Sequence, residues 1–245
     1  MSRRSLPDAT IRYADHDDAV IDLHFPRDAG GSPADRVVVL LHGGFWKVDY
    51  DRRHTRSMAR ALAEQGWLVV TPEYRRVRGG GGWPTTGEDV HLAVSRLPGL
   101  LEGLGLRLGP VTVAGHSAGG HLALWLATTG LPIERVVALA PVCDLREAIR
   151  LGLGANATQA LLGDVDPDQA DPMVLFRRRP SSEITIVHGE EDVDVPISLS
   201  RGFVAAHPWV ELHDLPGVGH MELIDPGSGP AFHRSIRLVT RGPRQ

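Results

Sequence analysis

Cysteine occurs once in the 245 residues, at Cys143. One thiol closes no internal disulfide, so nothing in the composition demands an oxidising compartment, and a cytoplasmic location is the simpler expectation. Lysine is equally scarce: Lys47 is the only one, and nearly all basic charge is arginine. The 26 basic residues are outnumbered by 30 acidic ones, for a formal net charge of −4. No strongly basic face is expected on such a chain, which argues against nucleic acid as a partner. No apolar run approaches the length that spans a bilayer, and no apolar signal-peptide core follows the Arg3–Arg4 pair, so no membrane association is expected. H-E-x-x-H and paired cysteines are both missing, so neither a metal nor a cofactor is expected, although His116 and His121 flank a serine. There is no internal repeat, and the only low-complexity segment is Gly79-Gly80-Gly81-Gly82, whose lack of side chains suggests a mobile rim.

What is present is a regular alternation. "TIRYA" and "AVIDLHF" alternate polar and apolar residues, the pattern of half-exposed strands paired as an opening antiparallel hairpin. Continuous apolar runs follow in "RVVVLLH", "GWLVVTPEY", "PVTVAGH", "RVVALAP" and "EITIVHG", which suit strands covered on both faces, with a weaker run in "VELHDL". Segments of helical spacing separate them: "RRHTRSMARALAEQG", "TTGEDVHLAVSRL", "AGGHLALWLATTG", "SLSRGFVAAH" and "AFHRSIRLVTR". The class is therefore α/β, with a mostly parallel sheet of about eight strands and helices on both faces, in one domain over residues 1–245. Residues 145–180, after the sixth strand, break the rhythm with short helical pieces and the acidic turn "GDVDPDQADP". They read as a small cap-like insertion over the strand ends, where pockets are shaped.

Chemistry concentrates in "VAGHSAGGHLAL". Gly115-His116-Ser117-Ala118-Gly119 fits G-x-S-x-G between a strand and a helix, where small neighbours allow the sharp turn that projects a serine hydroxyl. A serine hydroxyl needs a base, and the base needs an orienting carboxylate. Asp192 lies just past an apolar strand, 75 residues after Ser117, in competition with Glu190, Glu191 and Asp194. His220 lies in a glycine-bordered loop 28 residues further on; its rival His213 sits within a strand pattern. Cys143 reads as a small buried residue, and Trp125 as a packed one.

Taken in order, these motifs resemble the α/β-hydrolase fold, and within it the branch of hormone-sensitive-lipase-like esterases and kynurenine formamidases. The anchors are His42-Gly43-Gly44-Phe45-Trp46, "PEYRR…GGWPTTGEDVHLAV", Gly115 to Gly120, "HGEEDVDVP" and Gly219-His220. The resemblance implies a serine hydrolase that acts through an acyl-enzyme, with Ser117, His220 and Asp192 as the triad and the backbone N–H groups of Gly44, Phe45 and Ala118 as the oxyanion hole. His42 would anchor its loop. The first motif is closer to the His-Gly-Gly-Tyr-Trp of kynurenine formamidases than to His-Gly-Gly-Gly, with Phe45 in place of the tyrosine. The expected substrate is therefore an aryl formamide such as N-formylkynurenine, with Phe45, Trp46, Trp83 and His116 lining its site; short-chain carboxylic esters are the alternative. A hydrolase-fold scaffold without activity is a further reading, and a homodimer stays open. A peptidase would bring a gating domain for which the chain has no spare length.

Overall fold

The computed structural model describes residues 6–27, 36–106 and 108–242, so the Arg3–Arg4 pair lies outside the described residues. The apolar runs become strands: β1 (Ala9–Arg12), β2 (Val20–His24), β3 (Val37–Leu41), β4 (Leu68–Pro72), β5 (Val111–His116), β6 (Ile133–Leu139), β7 (Glu183–Gly189) and β8 (Glu211–Leu215). They form one eight-stranded sheet in the order β1-β2-β4-β3-β5-β6-β7-β8. The β1–β2 and β2–β4 pairings are antiparallel and all the others are parallel.

Period-two alternation divides the central strands between two apolar layers. Val37, Val39 and Leu41 point to the side covered by α2 (Thr85–Glu102), α3 (Ala118–Leu126) and α7 (Ser198–Ala206). Val38 and Leu40 point to the side covered by α1 (Arg56–Glu64) and α8 (Pro230–Val239). The chain moves outward from β3 in both directions, first to β4 and later to β5. Loops leaving the C-terminal ends of β3 and β5 therefore part on either side of a crevice, the place where open parallel sheets bind ligands. In register, Leu41 stands opposite Gly115, so His42-Gly43-Gly44 and Ser117 emerge side by side.

Three details differ from the sequence reading. β2 is not half-exposed: β1 and β4 flank it, and Asp22 is fully buried, paired with Arg56 at 2.6 Å and Arg52 at 3.0 Å. Burial alone would raise the Asp22 pKa, but the two guanidinium groups reverse this and leave it lowered. Helix α2 also continues past Pro98 to Glu102.

The third difference is the tetraglycine segment, which forms a close, hydrogen-bonded turn. Gly79 and Gly81 both donate to the Arg76 carbonyl, and Trp83 N–H donates to Leu161 O at 2.7 Å. A Cβ on Gly81 would lie 2.2 Å from the Arg75 carbonyl oxygen. Gly81→Ala should therefore destabilise by about 2 kcal/mol or more, because backbone has to move. Gly99→Ala, on an exposed turn of α2 with open space around it, should stabilise by about 0.5–1 kcal/mol. Thermal melting of the two variants tests both signs.

Between β6 and β7 lie α4 (Leu145–Arg150), α5 (Leu153–Leu162) and α6 (Pro172–Leu175). The acidic turn is tied to α4 by Arg146, which reaches Asp168 at 2.7 Å and Asp166 at 3.2 Å. α5 opens on a left-handed turn, with φ of 58°, 56° and 61° at Gly154, Ala155 and Asn156. Among the described residues no helix is long and apolar enough to cross a membrane.

Candidate active site

β5 ends at His116, α3 starts at Ala118, and Ser117 between them has φ 57° and ψ −118°. A β-carbon-bearing residue rarely takes this conformation, and it is held here by neighbours on three elements. Ser117 N–H donates to Leu139 O of β6 at 2.8 Å, and Ser117 O accepts from His121 N–H at 3.0 Å. A Cβ on Gly115 would lie 2.1 Å from the Gly119 carbonyl oxygen, so the strand and the helix pass too closely for any other residue there.

The loop after β3 forms the facing wall. Gly44, Phe45 and Trp46 all have positive φ (108°, 50° and 54°), and the loop packs so tightly that a Cβ on Gly43 would be 3.1 Å from Ser117 Cβ. Among the described residues the N–H groups of Gly44, Phe45 and Ala118 donate to no acceptor.

His42 anchors this loop, as expected. Its Nε2 is 2.8 Å from Glu73 Oε1 and its Nδ1 2.8 Å from Gly43 O, while the Tyr74 ring stacks on it at 4.3 Å. Tyr74 also donates its hydroxyl to His42 O at 2.8 Å. Glu73 is buried, which raises its pKa; His42 and Arg76 beside it more than compensate, and the net shift is downward.

His220 follows Gly219 in a loop that leaves β8 and packs against the end of β7. A Cβ on Gly189 would meet Val218 O at 2.1 Å, and Glu191 N–H donates to that carbonyl at 2.9 Å. The loop brings His220 Nδ1 to 2.6 Å from Asp192 Oδ2. Asp192 Oδ1 accepts from the N–H groups of Asp194 (3.0 Å) and Val195 (2.8 Å). Geometry thus selects Asp192 from the four acidic candidates, since Glu190, Glu191 and Asp194 are exposed. Burial raises its pKa, but the His188 and His220 imidazoles and the two N–H donors outweigh that and hold it far below the usual carboxylate range. The rival His213 faces Glu211 at 3.2 Å on β8.

Three expected substrate contacts are buried, as Ser117 and His220 themselves are. Trp46 is 1% exposed, because the positive-φ turn folds the chain back and drives its ring edge-on against His121 at 5.2 Å. Trp83 is buried too, edge-on to Trp125 at 5.0 Å. His116 is buried behind the serine, with Nε2 3.0 Å from the His220 carbonyl oxygen and its ring 4.5 Å from the His220 ring. Since a carbonyl only accepts, His116 donates and braces the His220 loop from below; burial and the neighbouring His220 push its pKa well down.

Of the four, Phe45 alone stays half-buried at the surface, against Gly154, where a Cβ would lie 2.6 Å from its ring. Lys47 Nζ binds Gly154 O at 2.7 Å and joins the insertion to this loop. Tyr50, which sequence reading passed over, lies across Gly44: a Cβ on Gly44 would be 2.3 Å from Tyr50 Cβ. Tyr50 is 45% exposed and edge-on to His54 at 6.1 Å, beside the loop that follows β3.

Asp192, Asp194 and His220 could each turn one ligand atom toward a common point, within 4.8 Å of one another. The pair Asp192 Oδ2 and His220 Nδ1 is already spent on a mutual hydrogen bond, so the geometry is that of a charge-oriented imidazole.

A strained serine at a strand-to-helix turn, a carboxylate-bound histidine from a late loop, and an order-reversing parallel sheet define an α/β-hydrolase. The chain belongs to the BD-FAE family, whose description matches residues 21–206. It is 25% identical to Esterase LipC of Mycobacterium tuberculosis over 94% of its own length and 64% of that protein. To the probable carboxylic ester hydrolase LipM of the same organism it is 25% identical, over 82% of this chain and 52% of LipM. The chain thus spans between half and two thirds of the length of these two relatives. The structure of Thermogutta terrifontis esterase 2 phosphonylated by sarin superposes with a TM-score of 0.77 at 22% identity, covering 94% of this chain and 91% of that one.

Proposed function

We propose that the protein is a serine carboxylester hydrolase with Ser117 as nucleophile, His220 as general base and acid, and Asp192 as the carboxylate that orients it. The observation that carries this reading is the 2.6 Å bond from His220 Nδ1 to Asp192. It occupies Nδ1 and leaves Nε2 as the ring nitrogen available to take a proton from the serine. Ser117 Oγ attacks the ester carbonyl and passes its proton to Nε2, and the oxyanion is met by the N–H groups of Gly44, Phe45 and Ala118. His220 returns that proton to the leaving alkoxide. Water then attacks the acyl-enzyme, gives a proton to His220, and the acid leaves as Ser117 Oγ recovers it. Among the described residues the Ser117 hydroxyl makes no hydrogen bond, a common state before substrate binds.

The ester is favoured over the formamide on two grounds. The named relatives are esterases. Phenylalanine also lacks the hydroxyl of the formamidase-type loop. The test compares kcat/KM for short p-nitrophenyl esters with that for N-formylkynurenine. Esters are expected to be turned over at least tenfold better; a preference for the formamide would reverse the assignment. Failure of a fluorophosphonate probe to label Ser117 in folded protein would instead favour a scaffold.

A further inference from the structure

His188, near the end of β7, is fully buried and plays no part in the steps above. Its Nε2 is 2.8 Å from the Val195 carbonyl oxygen, and its Nδ1 is 2.7 Å from Ser200 Oγ on α7. A carbonyl only accepts, so Nε2 carries the hydrogen and Nδ1 accepts from the Ser200 hydroxyl. The same Nε2 lies 3.2 Å from Asp192 Oδ2. Oδ2 is therefore hydrogen-bonded to His220 and has the edge of the His188 ring beside it, while Oδ1 takes two backbone N–H groups, one of them from Val195, whose carbonyl His188 holds. Beyond Ser200 the row ends at the Cys143 thiol, 3.9 Å away, whose pKa burial raises, so that it stays a thiol. Ser200, His188 and the Asp192 side chain are all fully buried, so water does not substitute for any of these contacts.

We propose that His188 is a positioning residue for the triad: its Nε2–H, held by the Val195 carbonyl, fixes the turn whose Val195 N–H binds Asp192 Oδ1, and its polar edge 3.2 Å from Oδ2 shares the carboxylate's negative charge, limiting how strongly that carboxylate holds a proton on His220. The proposal rests on the triad reading above. A carboxylate with only His220 on Oδ2 would direct its whole charge at that imidazole and retain the imidazolium. The other titratable groups facing the pair are Asp194 on the same loop, Glu222 beside Gly219, His116 beneath His220, and His54. All of them are unchanged by substitutions at 188.

Two polar variants separate positioning from packing. His188→Gln places an amide N–H where Nε2 was; His188→Asn reaches only toward Ser200. For His188→Asn the acid limb of the kcat/KM profile should move up by about one pH unit, a roughly tenfold loss at low pH that fades at high pH, with KM unchanged. His188→Gln should restore the wild-type profile. The pH titration of the His220 imidazole by NMR should shift in the same direction and needs no turnover, so it reports on His188 even if the protein hydrolyses no ester. Identical profiles for the two variants, or a shift of equal size in both, would overturn the proposal. If His188→Asn does not fold, nitrogen-15 NMR of the wild-type protein decides. His188 must remain a neutral Nε2–H tautomer while His220 titrates, and an Nδ1–H tautomer or a titrating His188 sinks the idea.

Discussion

Ser117→Ala should lower kcat/KM for a p-nitrophenyl ester by about 10⁴- to 10⁶-fold while leaving the melting temperature near that of the wild type. On the proposed mechanism the loss is large because every later step needs the bond that Ser117 Oγ forms: without it the N–H groups of Gly44, Phe45 and Ala118 would polarise a carbonyl, but no acyl-enzyme would appear. The fold should not notice. Ser117 is tied into the sheet through its backbone, to Leu139 and His121, and those contacts survive loss of the hydroxyl. Alanine also carries the same Cβ into the same positive-φ conformation, so the variant inherits whatever strain the serine bears. Steady-state kinetics, a thermal melt and labelling by a fluorophosphonate together check the assignment. Retention of more than a tenth of wild-type activity would mean that another group is the nucleophile, and Cys143, fully buried with its pKa raised, is not placed to be one.

The parts of this protein that sequence made legible are those governed by local pattern. Continuous apolar runs marked β3 to β7, and G-x-S-x-G marked the strained turn because only small residues tolerate the approach of Gly115 to Gly119. Asp192 and His220 were found from their position past strand ends, and the 2.6 Å bond between them is consistent with that logic. What stayed hidden depends on contacts between distant segments. Glu73 supports His42 across 31 residues, and His188 meets Ser200 only after α7 has packed on the sheet. The burial of Trp46 and Trp83 was hidden for a related reason. An aromatic next to a glycine turn points outward or inward according to the sign of φ at the turn, and sequence does not disclose that sign. Asp22 falls on the polar side of the alternation in β2, and sequence does not disclose that Arg52 and Arg56 fold over that face and bury it.

The glycines of the serine motif carry the second large prediction, and it concerns the fold before the chemistry. A Cβ on Gly119 would lie 2.3 Å from the Leu41 carbonyl oxygen and 2.5 Å from that of His42. Both are backbone atoms, at the end of β3 and the start of the loop that presents the Gly44 and Phe45 N–H groups, so no side chain can swing aside. Gly119→Ala must push α3 away from β3 or displace the loop. The expected cost is about 3 kcal/mol, at the upper end for overpacking, which for a chain of this size lowers the melting temperature by roughly 6–12 °C. Activity measured well below the melt should fall by at least tenfold as well, because the displaced segment is the one that would bind the oxyanion. Gly202→Ala on α7, where nothing lies within 4 Å of the added carbon, provides the control and should melt at or above the wild-type temperature. A Gly119→Ala protein melting within a degree of wild type would show that β3 and α3 are not in the close contact described. One that melts early but hydrolyses esters at the wild-type rate would separate the strand–helix approach from the oxyanion loop, and would shift the stabilising donors toward Ala118 alone.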